Sequence, residues 1–286
     1  MAIAPEGREE LLAHDWLGAC RRAAEGLRAV LAEHPTSRER VVETGATGGG
    51  GDRTLVIDAL AEDAVFAELD RLHHHGARFT AVSEERGHVD FGDPDVLVVI
   101  DPIDGSMNAK RGLSHHALSI AFAEGPTMAD VVFGYVHDLG PTEEWRAIRG
   151  EGAFLNDEPL ITPQPERRRR DGRLELVAVE SADPRWLAAS SDALVAVTGR
   201  VRAVGSIAIS LCQVAATRVD GMATLWKCRA VDAAAAQLIV RESGGLVAFT
   251  AMDEPLAAPL DLVPHSPVVA ARTERALAEL ATLPNG

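Results

Sequence analysis

The stretch "VLVVIDPIDGSMNAKRG", residues 96–112, runs an apolar strand directly into two aspartates, a glycine and a hydroxyl. The run "DVLVVI" reads as a core strand ending at Ile100. Two carboxylates at the mouth of such a strand repel each other and resist desolvation. At about 4 Å and an effective dielectric near 20, each such pair costs roughly 4 kcal/mol unless something positive lies between. Pro102 fixes its own φ and forces an extended-to-turn path. That path can aim Asp101 and Asp104 into one space and expose the Ile103 carbonyl between them. Carboxylates and carbonyls are hard oxygen donors, matched to Mg²⁺ rather than zinc. Gly105 leaves room for a phosphate to approach backbone N–H groups, and Ser106 adds a hydroxyl beside it.

Other acids stand at element ends in the same way. "RFTAVS" (78–83) is a strand that runs into Glu84 and Glu85, and Asp232 opens a helix. Before them, Trp16, Cys20, Leu27 and Leu31 give an amphipathic opening helix, followed by a loop with four successive glycines at 48–51. Ile57, Ala61, Val65, Leu69 and Leu72 then line one helical face, with Asp52 or Thr54 as its N-cap. "ALSIAFAE", "DVVFGYVH" and "EEWRAIRG" follow with turn residues between them, which predicts an antiparallel sheet. Beyond "ERRRRDGR" (166–173), read as a solvated linker, the pattern alternates. "LELVAVE", "VRAVGS" and "GMATLW" read as strands, whereas "IAISLCQVAATR", "VDAAAAQLIVRESGG" and "TERALAELATL" read as helices. The fold class is therefore α+β followed by α/β, with domains at 1–165 and 166–286.

The bulk numbers exclude several classes. A formal net charge of −15 argues against nucleic acid as a partner. No apolar run approaches the roughly 20 residues of a membrane helix. The acidic N-terminus lacks a signal-peptide layout, and three scattered cysteines fit no disulfide framework, so a cytoplasmic location is expected.

Taken in order, these segments resemble the inositol monophosphatase family, within the superfamily of lithium-sensitive, Mg²⁺-dependent phosphatases. "SEERG" (83–87) matches its acidic pair, "DPIDGSMNAKRG" its central signature and "GEGAFLNDEPL" (150–160) the hairpin that follows. "VGSIAISLCQVAATRVDG" (204–221) and "VDAAAAQLIVRESGG" (231–245) match its C-terminal half. The form of the central signature is similar to the archaeal-type branch, whose members act on inositol phosphate and fructose bisphosphate. The resemblance implies a layered α-β-α-β-α sandwich of the sugar phosphatase type and, usually, a homodimer. It implies two to three Mg²⁺ ions per site: one on Glu84, Asp101 and the Ile103 carbonyl, a second on Asp101, Asp104 and Asp232, a weaker third near Glu84 and the glycine-rich loop. Asp58 and Ser106 would activate water, the Gly105 and Ser106 amides would take phosphate oxygens, and Gly205 with Ser206 would approach a sugar or polyol.

Two departures bear on substrate. Val231 stands where the family usually has Trp. Thr224 or Leu225 falls where inositol-specific members carry a glutamate. The expected activity is phosphomonoester hydrolysis of a small phosphorylated polyol or sugar, inositol-1-phosphate first. Fructose-1,6-bisphosphate, histidinol phosphate and a 3′-phosphonucleotide follow, and a non-catalytic ligand-binding relative is the rival. One of His115 and His116 is a candidate for the cleft, or else the two alternate across a strand. Lys227 and Arg229 are candidates for a substrate phosphate. "LHHHGA" (72–77) reads as a solvated helix end, and the cysteines as core.

Overall fold

The computed structural model describes residues 13–49, 53–160 and 164–283. Helix α1 (Trp16–Glu33) buries Trp16, Cys20, Leu27 and Leu31 on one face, as the spacing predicts. A short α2 (Ser37–Arg40) and the hairpin of β1 (Glu43–Thr47) and β2 (Arg53–Leu55) lead into α3 (Val56–His74). Ile57, Ala61, Val65, Leu69 and Leu72 are all buried on α3. Its N-cap is Leu55, not Thr54, and the expected Asp52 lies outside the described residues. Asp58 explains the shift: from the first turn its carboxylate reaches back to the Leu55 N–H at 3.4 Å, so no side chain is needed at the cap itself.

Eight strands form the larger sheet: β3 (Thr80–Ser83), β4 (Gly87–Asp90), β5 (Leu97–Asp104), β6 (Ala117–Ala123), β7 (Val131–Asp138), β8 (Glu144–Ile148), β9 (Gly152–Leu155) and β10 (Glu158–Pro159). Their order is β10-β9-β8-β7-β6-β5-β3-β4. Pairing is antiparallel throughout except between β3 and β5, which run parallel across the connection through β4. After β5 comes α4 (Ser106–Arg111). Trp16 meets Phe79 and Phe122 edge-on at 5.4 and 5.1 Å, fixing α1 to this sheet.

The second sheet holds β11 (Val177–Glu180), β12 (Val201–Arg202), β13 (Met222–Thr224), β14 (Leu246–Phe249) and β15 (Val268–Ala271), in the order β12-β11-β13-β15-β14. Its helices are α5 (Pro184–Ala189), α6 (Ser191–Val197), α7 (Ile207–Ala215), α8 (Ala230–Glu242) and α9 (Glu274–Leu280). "VRAVGS" forms a strand only at Val201–Arg202, because Gly205 adopts a positive φ of 87° and turns the chain toward α7. The Arg-rich stretch is no free linker. Arg167 is bonded to Asp220, and Arg168 lies 2.9 Å from Glu279.

The helices α7 and α8 lie between the two sheets and share one core cluster with Val99 and Trp145 on one side and Ala178 and Val268 on the other. A second cluster joins α1 and α3 to the outer face of the larger sheet, and a third joins α9 to the outer face of the smaller one. The order of layers is thus α-β-α-β-α. The alanine run of α8 permits close approach: a Cβ at Gly134 of β7 would stand 2.5 Å from the Ala235 carbonyl. All three cysteines are buried and free.

Candidate active site

In a regular strand, residues three apart point to opposite faces. Asp101 and Asp104 avoid that because β5 continues past Ile100 through both of them, and its register with β6 shifts between them. The irregularity at Pro102 turns both carboxylates into one space. From the far side of the core, α8 delivers Asp232 in its first turn, with its carboxylate accepting from the Arg229 N–H at 3.0 Å. One carboxylate oxygen of each of Asp101, Asp104 and Asp232 lies within 4.8 Å of the others, and all three residues are buried.

Each has its own support. Asp101 accepts from the Ile103 N–H at 2.9 Å. Asp104 accepts from the Ser206 hydroxyl at 2.5 Å and the Ala208 N–H at 2.7 Å, at the N-terminus of α7. Glu84, next after β3, is 2.8 Å from the Arg229 guanidinium, which also stands 3.7 Å from Asp232. Burial pushes the Asp104 carboxyl up to about 8, with Asp232 adding to the rise. Burial likewise raises Glu84 to about 7, with Arg229 opposing and Asp232 reinforcing. Asp101 goes well above the usual range, by burial first and then by Glu84, Asp104 and Asp232. Glu84, Asp101 and Asp104, all raised by burial and by the charge of Asp232, are what a divalent cation would relieve. The donors are all oxygen, which suits Mg²⁺ chemistry.

A cavity of about 400 Å³ opens beside them, lined by Asp58, Glu84, Glu85, Asp101, Ser106 and Lys110, among others. Asp58 is raised by burial and held down by Lys110, whose Nζ is 3.6 Å away. Asp58 and Ser106 face this cavity together without a direct hydrogen bond. A second cavity of about 350 Å³ holds Asp104, Asn108, Glu180, Gly205, Ser206 and Asp232. Gly105 sits at φ 84°, and a Cβ there would come 2.8 Å from the Gly205 carbonyl, so the two glycine turns meet back to back. Asn108 fastens them, donating to the carbonyls of His115 and Val204 at 2.9 and 2.8 Å.

The histidines stand apart from both cavities. His115 bonds Asp138 at 3.0 Å, His116 lies against another surface hollow, and both precede β6 rather than alternating across it. Thr224 and Leu225 are fully buried, and the Thr224 hydroxyl accepts from the Val268 N–H. The acid near that position is Glu180, which pairs with Thr224 across β11 and β13. Glu180 went unnoticed in the sequence, although it ends a strand just as Glu84 and Asp101 extend theirs. It accepts from the Val204 and Gly205 N–H groups, both at 2.9 Å, and from the Ser210 hydroxyl. Lys110 was also missed, yet it sits four residues after Ser106 on α4 and so on the same helical face.

The model of the inositol monophosphatase family matches residues 10–283. The chain is 31% identical to a fructose-1,6-bisphosphatase/inositol-1-monophosphatase from Methanothermobacter thermautotrophicus, over 84% of this chain and 86% of the relative. It is 32% identical to the Nus factor SuhB of Haemophilus influenzae, over 79% and 82%. Among solved structures, the extragenic suppressor protein suhB from Bartonella henselae superposes with a TM-score of 0.74 at 23% identity, covering 94% of this chain and 98% of that one.

Proposed function

We propose a function that starts from kinship: this chain belongs to the inositol monophosphatase family, in its archaeal-type branch, and is a phosphoric monoester hydrolase. It is a Mg²⁺-dependent phosphatase of a small phosphorylated polyol or sugar, with inositol-1-phosphate as its first substrate. The observation that carries this reading is the convergence of Asp101, Asp104 and Asp232 within 4.8 Å.

Asp101, Asp104 and Asp232, with Glu84 and the Ile103 carbonyl, would hold the ions. Bound there, Mg²⁺ supplies a lowered pKa for water and neutralises charge on the phosphoryl group and leaving oxygen. The chain's own groups do the positioning that phosphoryl transfer chiefly needs. Asp58 takes the proton of the attacking water, which the Ser106 hydroxyl on the wall of the same cavity helps to orient. Burial raises the Asp58 carboxyl, and the Lys110 charge beside it opposes that rise. The Gly105 turn presents N–H groups to the phosphate. The loop of Gly205 and Ser206, held by Glu180 and Asn108, shapes the space for the departing alcohol.

Fructose-1,6-bisphosphate is the second substrate to try, because Thr224 and Leu225 offer no acid to ring hydroxyls and a relative carries both activities in its name. A phosphate-release panel in saturating Mg²⁺ tests this, using inositol-1-phosphate, fructose-1,6-bisphosphate, histidinol phosphate and a 3′-phosphonucleotide. Release from inositol-1-phosphate above the others, abolished by chelation, is expected. No release from any of the four overturns the reading.

A further inference from the structure

Four arginines from three stretches line a third cavity, of about 230 Å³: Arg167, Arg200, Arg202 and Arg218. The chain has 28 Lys and Arg against 43 Asp and Glu, so such a gathering runs against its general balance. Part of the charge is met internally. Asp220 lies 3.1 Å from both Arg167 and Arg272, and Glu143 takes both Nη groups of Arg218 at 2.5 and 2.6 Å. Arg200 has a looser pair, 3.9 Å from Glu175, which lines the cavity together with Asp220. The Arg202 guanidinium bonds the Val201 carbonyl and reaches no carboxylate among the described residues. Arg202 on the edge strand and Arg200 just before it both line this cavity.

We propose that this cavity is a second anion site that takes the phosphate group of a small molecule. Guanidinium forks match phosphate oxygens in geometry as well as charge. The site is separate from the acidic one. Leu176 lines it at one end of β11, and Glu180 lines the second active-site cavity at the other, about 13 Å along the strand. It is also connected to it: β12 passes straight into residues 203–206, the loop that Glu180 and Asn108 hold beside Asp104.

Titration of inorganic phosphate into the full chain after chelation tests this by calorimetry, since the metal-free acidic cluster repels phosphate and no turnover is required. One phosphate per chain is expected, weakening with added salt. Binding should fall at least tenfold in the Arg200→Ala/Arg202→Ala double variant and persist in Asp104→Asn. Both arginines are exposed, so an unchanged melting temperature should accompany the loss. Equal binding by the double variant, or none by the unaltered chain, overturns the proposal. A parallel titration with glycerol 3-phosphate separates sources: tighter binding of the ester assigns the site to a phosphorylated metabolite, and equal binding to free phosphate. Because the assay reads binding alone, its failure is distinct from failure of the phosphatase panel.

Discussion

Two regions of this molecule bury aspartate, and they treat it in opposite ways. Asp220, fully buried, accepts from the Arg167 N–H, the Leu176 N–H and the guanidinium groups of Arg167 and Arg272. The cluster of Asp101, Asp104 and Asp232 instead sets carboxylate against carboxylate. In the first region the protein supplies its own counter-charge, and the acid fastens the fold. In the second a single guanidinium, Arg229, stands beside Glu84 and Asp232, and the three aspartates are set where they could hold a metal ion. Burial of an acid therefore says little about role; the sign of its neighbours says more.

The sharpest way to break this contrast is to neutralise one acid in each region. Asp104→Asn should lower Mg²⁺-dependent phosphate release by more than about a hundredfold. Above pH 8 the metal-free protein should melt no lower than before, because there the variant removes a repelling charge and keeps an acceptor for Ser206 and Ala208. Retained activity in this variant refutes a metal-holding role for Asp104. Asp220→Ala should do the reverse: about 3–5 kcal/mol of stability lost in denaturant titration, since the buried Arg272 guanidinium loses its carboxylate, with specific activity of the folded fraction kept.

A pH series sharpens the same point. The carboxyls of Glu84 and Asp104 rise in the fold to about 7 and about 8, from 4.5 and 3.8. Groups raised in this way contribute stability that is complete below their ordinary values and lost as pH climbs through the folded ones. The metal-free melting temperature should therefore fall between pH 6 and 9, and added Mg²⁺ should restore more of it at pH 9 than at pH 6. A flat metal-free profile would remove the argument that these acids are held against their charge. The smallest effect is expected from Lys110→Met, within about 1 kcal/mol of stability. Its signature lies in the rate profile: without the cation the Asp58 carboxyl rises further, and the acidic limb of activity should move to higher pH.

Much of this was legible in the residues. Ile57 to Leu72 keep helical spacing, and the apolar runs of β5, β6 and β7 are long enough to read as strands. The acids at strand and helix ends pointed to one chemistry. What escaped notice was short or non-local. The strands β14 and β15 have four residues each, too few for a period to show, and α5 and α6 carry mixed surfaces. The continuation of β5 through Asp104 depends on pairing with β6, which no local propensity reports. The Arg167–Asp220 pair spans 53 residues of sequence, and the link between Glu180 and the Gly205 turn joins two elements that only the fold brings together.

The position of α8 has a consequence for how the protein comes apart. Every residue from Ala230 to Val240 is buried, between two sheets that both depend on this helix for their inner faces. Asp232 belongs to that buried run. Backbone amides along α8 should therefore be among the slowest to exchange with solvent, opening only when the whole molecule does. A partly unfolded chain that kept its acidic strand ends yet freed this helix would have lost the third carboxylate, so ion capture at the proposed site would report completion of the global fold and not of either sheet by itself.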